Sequence, residues 1–262
     1  MSAADSARIY ADLQQDIPCH PGPDWTRFVC ISDTHSELFD VPPGDVLLHA
    51  GDLSSWGSFP QLKVTLDWLG SLEHPVKIFS NACVRIIAGN HDVMILMRHG
   101  EELRILDVLN ARSYIRSQVM KDAGIHYLEH ESFCFTTSVG REWKVYGSPA
   151  APTYVQGSFQ YSNSEEGNAI YSRIPSDIDI LITHTPPYMT LDRTRKGKHA
   201  GCDILSAKLE ELRKCRLHVF GHIHEAYGAS AKCDDSSREI KRVSVNAAVA
   251  RSETAIVVDL RN

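Results

Sequence analysis

Nine side chains in five short patterns have the types and spacing to hold metal ions. The patterns are Asp33-Thr34-His35, Gly51-Asp52, Gly89-Asn90-His91-Asp92, Thr183-His184-Thr185-Pro186-Pro187 and Gly221-His222-Ile223-His224. Carboxylate oxygen, amide oxygen and imidazole nitrogen suit manganese, iron or zinc. A carboxylate can bridge two such cations. A pair about 3.5–4 Å apart can clamp both the attacking and the leaving oxygen of a displacement at phosphorus, and it makes a bound water acidic enough to yield hydroxide near neutral pH. Hydrolysis of a phosphate ester needs these parts.

Taken singly, each pattern has an ordinary structural explanation. An Asp after a strand commonly forms a turn or caps a helix, and Gly-Asp and Gly-Asn are turn pairs. His184 ahead of two prolines could simply orient a loop. What points to a dinuclear centre is the joint occurrence, in order, of five such patterns, each directly behind an apolar run.

Those runs are the elements that must position the ligands. Phe28–Ile31, Val46–Ala50, Val84–Ala88, Ile178–Ile182 and Leu217–Phe220 are short and nearly continuously apolar, as strands buried on both faces are. Leu62, Leu66, Leu69 and Trp68 mark an amphipathic helix after Pro60. Residues from about Val93 to Lys121 predict one long or two broken helices, and Ile204 to Leu212 another. Strands alternating with helices predict an α/β fold. Ligands then gather beyond the carboxyl ends of the strands. Phe133–Val139 and Trp143–Tyr146 predict a hairpin around Gly140, and Val243–Val245 and Ala255–Val258 late strands. Residues 1 to about 24 and 228–238 are expected to be mobile, and Ser148 to Gly167 a surface insertion.

Composition excludes several function classes. The 262 residues carry a formal net charge of −6, against the basic face that extended nucleic acid or a membrane surface requires. Seven scattered cysteines without a C-x-x-C pair form neither a disulfide framework nor a cysteine zinc site. Reduced thiols, no apolar run within Met1–Asp16 and no run long enough to span a bilayer lead to the expectation of a cytoplasmic protein without a signal peptide. The oligomeric state is left open. The most basic stretch, Arg193 to His199, is either a solvated loop or a rim that attracts an anion. Trp56, Tyr188 and Tyr227 follow metal motifs and could pack, or stack on a nucleobase. Cys202 is expected to be a buried packing thiol at the next helix start.

This ordered set resembles the calcineurin-like metallophosphoesterase superfamily over about Arg27 to Leu260. Within it the chain is similar to the metallophosphoesterase-domain-containing, class III cyclic nucleotide phosphodiesterase-like branch. Tyr146-Gly147-Ser148-Pro149, His199-Ala200-Gly201-Cys202, His224-Glu225 with Tyr227-Gly228, and Asn246-Ala247 carry that second likeness. The resemblance implies a four-layer β-sandwich of two mixed sheets flanked by helices, with a single domain over 25–262 behind an N-terminal extension, 1–24. It implies two transition-metal ions (Mn2+, Fe2+/Fe3+ or Zn2+). Asp33, His35 and His224 would hold one, Asn90, His184 and His222 the other, with Asp52 bridging. His91 would protonate the leaving oxygen, oriented by Asp92, and His199 would lie near the phosphate; Tyr188 and Trp56, from their closeness to the metal motifs, are candidate substrate contacts beside it. Some animal members of the branch carry glycine where this chain keeps His222, and many carry Glu where it has Asp92.

The expected activity is hydrolysis of a small phosphodiester by a metal-activated hydroxide, with 2′,3′- or 3′,5′-cyclic nucleotides as substrates. A phosphomonoesterase or protein phosphatase, and a nucleotide-binding protein with little turnover, are the alternatives.

Overall fold

The apolar runs carry hydrophobic side chains on both faces, and the fold buries both. The computed structural model describes residues 6–11, 17–55, 57–72, 83–86, 105–153, 159–234, 236, 239–250 and 254–262, with backbone alone at 83–86 and 105–108. In chain order the elements are β1 Ala7–Tyr10, β2 Trp25–Ile31, β3 Val46–His49, α1 Phe59–Ser71, β4 Cys83–Ile86, α2 Ile105–Ile115, α3 Gln118–Asp122, β5 Ile125–Tyr127, β6 Glu131–Thr136 and β7 Glu142–Ser148. There follow β8 Ala151–Pro152, β9 Gln160–Tyr161, α4 Ser164–Tyr171, β10 Ile180–Thr183, α5 Asp203–Glu211, β11 Leu217–Phe220, β12 Gly228–Cys233, β13 Ile240–Asn246 and β14 Ile256–Arg261.

Two six-stranded sheets result, in the orders β1-β14-β2-β3-β4-β5 and β12-β13-β11-β10-β7-β6. In the first, β2 to β5 run parallel and β14 antiparallel to β2. In the second, β7, β10, β11 and β13 run parallel, with β6 and β12 antiparallel at the edges. Alternation along each strand sorts its side chains. Phe28, Cys30, Val46 and Leu48 face Ile180, Ile182, Leu217 and Val219 across the space between the sheets. Val29, Ile31 and Leu47 turn the other way and pack on Leu62, Leu66 and Leu69 of α1. Leu181 and Tyr146 pack on Leu205 and Leu209 of α5. The layers are therefore helix, sheet, sheet, helix, as the resemblance implied. The ordering puts the carboxyl ends of β2 and β3 opposite those of β10 and β11.

Three expectations about irregular segments need correction. Ala7–Tyr10, within the stretch expected to be mobile, is the outer strand of the first sheet, paired with Val257–Leu260. Gly228–Cys233 is paired along its length with β13. Ser148 to Gly167 contains the β8–β9 pair and the start of α4, and it buries Ala150, Ala151 and Tyr161. These segments are too short or too polar to read as strands alone; partners distant in sequence impose the pairing. The helical expectation from Val93 resolves into α2 and α3 over its described part, while 93–104 lies outside the described residues. Among the described residues no helix is long and apolar enough to cross a membrane.

One buried ion pair fixes the β2–β14 seam. Arg27 sits directly opposite Asp259 and donates Nε to Oδ1 at 2.7 Å and Nη2 to Oδ2 at 2.8 Å. Asp259 is fully buried and Arg27 4% exposed. Asp259→Ala should leave an uncompensated cation and cost about 3–5 kcal/mol of stability, read as a lowered urea midpoint. An unchanged midpoint would show that the pair does not hold the seam.

Candidate metal centre

The loops behind β2 and β3 are zipped together by backbone hydrogen bonds. Asp33 N donates to Gly51 O at 2.8 Å, His35 N to Asp52 O at 3.0 Å and Ser36 N to Leu53 O at 2.9 Å. This pairing brings Asp33, His35 and Asp52 side by side. In these loops Asp33, His35, Ser36 and Asp52 stand at positive φ, as does His222 behind β11, from 48° to 70°. Left-handed backbone is costly for residues other than glycine and gathers where function demands it.

The second sheet supplies the other wall. The backbone N–H of His222 donates to both oxygens of Asp33, at 3.1 and 3.0 Å. Gly221 permits that approach, because a Cβ there would collide with the Asp33 carboxylate and the Ser32 hydroxyl. His224 Nε2 lies 3.1 Å from Asp33 Oδ1 and 3.4 Å from His35 Nε2. His184 Nδ1 donates to Ala50 O at 3.0 Å, which leaves its Nε2 facing Asp52 Oδ2 at 3.4 Å. Asp52 Oδ2 is also 4.0 Å from His35 Nε2.

Two sets of donors result, Asp33 with His35 and His224, and Asp52 with His184 and His222, the donor atoms of each lying within 4.8 Å of one another. Their chemistry fits cations. Two ring nitrogens that face each other, as in His35 and His224, need a proton or a metal between them. An imidazole that donates one nitrogen to a backbone carbonyl presents the other as a ligand. Electrostatics agree. Burial pushes the His184 imidazolium down, but the Asp52 charge and hydrogen bond outweigh it and hold the ring up to about 9. Burial would raise the Asp33 carboxyl; the His224 hydrogen bond and the imidazoles of His184, His224 and His35 prevail and keep it well below the usual carboxylate range. Burial drives His222 down to about 4, helped by His184.

Of the residues expected at the site, six converge here: Asp33, His35, Asp52, His184, His222 and His224. Asn90, His91, Asp92 and Trp56 lie outside the described residues. Tyr188 and His199 line, with Thr185 and His222, a cavity of about 900 Å³. Tyr227 belongs instead to the inter-sheet core, its hydroxyl reaching the Ala11 and Thr254 carbonyls. Cys202 is the packing thiol expected, capping α5 through Leu205 N and touching the Tyr161 hydroxyl.

A model of the family described as calcineurin-like phosphoesterase matches residues 26–226. The chain belongs to that family. Its relatives include metallophosphoesterase domain-containing protein 1 of Homo sapiens, 35% identical over 84% of this chain and 66% of its own. A UPF0046 protein of Caenorhabditis elegans is 33% identical over 83% of this chain and 56% of its own. A protein of Emericella nidulans named probable rhamnogalacturonate lyase C is 37% identical over 80% of this chain but 18% of its own. The chain thus spans two thirds or less of the length of these relatives. The family implies divalent metal ions, and the two donor sets are where this fold would hold them.

Two further residues shape the site: Asn246, which the sequence marks only as part of the branch likeness and without a role, and Asp192, which it does not mark. Asn246, at the carboxyl end of β13, donates Nδ2 to Leu191 O at 3.0 Å and to Ile223 O at 2.9 Å, tying two site loops together. Its position behind a strand was the available signal. Asp192 is buried beneath the basic segment, and nothing in its local sequence marked it.

Two predictions follow from this geometry. Gly221→Ala should displace Asp33 and abolish tight manganese binding while the chain stays folded; calorimetric titration with unchanged affinity would refute the close-approach argument. His184 has an unfolded pKa near 6.5 and a folded value of about 9. Its protonation therefore stabilises the metal-free fold fully below about pH 6.5, and that contribution is lost as pH rises through 9. The urea midpoint of the metal-free chain should fall between pH 6.5 and 9.5, and manganese should abolish the fall by taking the proton's place.

Proposed function

We propose that this chain is a dinuclear-metal phosphodiesterase that hydrolyses small phosphate esters, with cyclic nucleotides, 2′,3′- or 3′,5′-linked, as the substrate class. One observation carries the reading. Two three-residue donor sets, each built on a buried carboxylate, meet at Asp52, whose Oδ2 is within reach of an imidazole of each, 3.4 Å from His184 and 4.0 Å from His35. That placement suits Asp52 as the shared ligand, Asp33, His35 and His224 as holders of one ion, and His184 and His222 as holders of the other, to which the family resemblance adds Asn90. Bound there, two cations supply an acidic water and a clamp on the phosphoryl oxygens. Manganese, iron or zinc fits this donor chemistry.

The chain's own groups supply the rest. His91, oriented by Asp92, protonates the leaving oxygen. The cavity beside His222 is wide enough for a nucleotide, carries the Tyr188 ring on one wall and is rimmed by Arg195, Lys196 and Lys198. A cyclic phosphodiester bears a single negative charge, which such a rim attracts. A cytoplasmic setting belongs to this reading, supported by the free thiols of Cys19, Cys30, Cys134, Cys202, Cys215 and Cys233.

The test is hydrolysis by the manganese-loaded chain of 2′,3′-cAMP, 3′,5′-cAMP, a generic phosphodiester and a phosphomonoester. Cyclic nucleotides should turn over fastest; hydrolysis of the monoester alone would overturn the reading in favour of a phosphatase. Asp52→Asn should lose both metals and all activity. His91→Ala should retain the metals and lose about 10²–10⁴ in kcat; loss of metal in that variant would remove His91 from the acid role.

A further inference from the structure

The segment Asp192 to Gly201 is an ordered arm. Arg193 bridges to His199 in antiparallel fashion, Thr194 N donates to Lys198 O at 2.9 Å, and Gly197, at φ 78°, turns the tip. At its base sits Asp192, 1% exposed. One oxygen accepts the backbone N–H of Met189 and of Gly201, each at 3.0 Å. The other lies 2.6 Å from His199 Nδ1. A carboxylate only accepts, so Nδ1 carries the proton. The opposite edge of the ring, Nε2, is then available on the side chain that lines the cavity shared with His222 and Thr185. Tyr188 packs edge-on against this ring, 5.9 Å between centroids. Met189 and Leu191, both just ahead of Asp192 in the chain, hold positive φ, 65° and 48°. Strained backbone leading into a buried carboxylate whose one side-chain partner among the described residues is a cavity-lining imidazole is the arrangement by which an acid orients a working histidine.

We propose that Asp192 is a positioning residue that holds Nδ1–H of His199 and thereby fixes the direction of the ring, so that Nε2–H of the protonated imidazole donates to an anionic oxygen of the substrate in the cavity shared with His222. The proposal rests on the phosphoesterase reading of the same site. Asp192 balances the charge of the ring when the protonated imidazole donates Nε2–H to that oxygen, the division of labour seen wherever a carboxylate backs a histidine. Lys198 and Arg195 of the arm line the same cavity and draw the anion toward it.

The experiment compares the 262-residue chain with Asp192→Asn, His199→Ala and the double variant. Inorganic phosphate binding to the manganese-loaded proteins is measured by calorimetry, with equal metal content verified for each. Each single variant should weaken phosphate about 10-fold, the scale of one lost charge-assisted hydrogen bond, and the double variant should be no weaker than His199→Ala alone. Long-range 1H–15N spectra of the metal-free chain should show His199 in the Nδ1–H form, and Asp192→Asn should shift it toward Nε2–H. Multiplicative losses in the double variant would make Asp192 a clamp for the arm and overturn the proposal. So would an Nε2–H tautomer in the parent chain, or phosphate affinity indifferent to His199. These readouts need no turnover, so an inactive parent would sink the phosphodiesterase reading and leave this test standing.

Discussion

Two carboxylates, Asp33 and Asp52, are buried where the strand ends of the two sheets meet. Taking an ionised carboxylate out of water costs several kcal/mol even after the protein relaxes, and leaving it unpaired is not tolerated. Everything around these two groups answers that demand. Both oxygens of Asp33 receive the His222 backbone N–H, and imidazoles of His184, His222, His224 and His35 crowd the remaining approaches. The strained backbone at Asp33, His35, Asp52 and His222 is sustained because the layers behind it are densely packed. Cations held by the two donor sets would complete the charge balance that the imidazoles begin.

The same constraint explains why the site lies at a seam. Neither sheet could assemble either donor set alone. The first offers Asp33, His35 and Asp52, the second His184, His222 and His224, and each set draws on both. The inter-sheet core of Phe28, Leu48, Ile182 and Val219 therefore does more than stabilise the fold: it sets the distance between the two halves of the centre. Gly221 is the point of closest approach, where backbone of one sheet touches a carboxylate of the other.

Much of this was legible in the sequence, for a physical reason. Strands buried on both faces read as unbroken apolar runs, so Phe28–Ile31, Val46–His49 and Leu217–Phe220 announced themselves, and polar ligands directly behind such runs stand out. Edge strands carry no such signature. Ala-Arg-Ile-Tyr at 7–10 and Gly-Ala-Ser-Ala-Lys-Cys at 228–233 become strands because β14 and β13 offer them hydrogen bonds, and β14 lies almost the whole chain away. Asp192 was invisible for a related reason. Its partners, Met189, His199 and Gly201, are assembled by the turn of an arm whose composition reads as a charged loop. Asn246 was visible as part of the branch likeness, and its role as a tie between loops follows from its place at the end of a parallel strand.

The central claim is that the six converged side chains hold two cations close enough to share Asp52. Electron paramagnetic resonance of the chain saturated with Mn2+ tests it most directly, together with a count of bound metal. The account predicts two ions per chain and a spin-coupled spectrum, as expected for a pair about 3.5–4 Å apart. A single ion per chain, or two with independent uncoupled spectra, would contradict it.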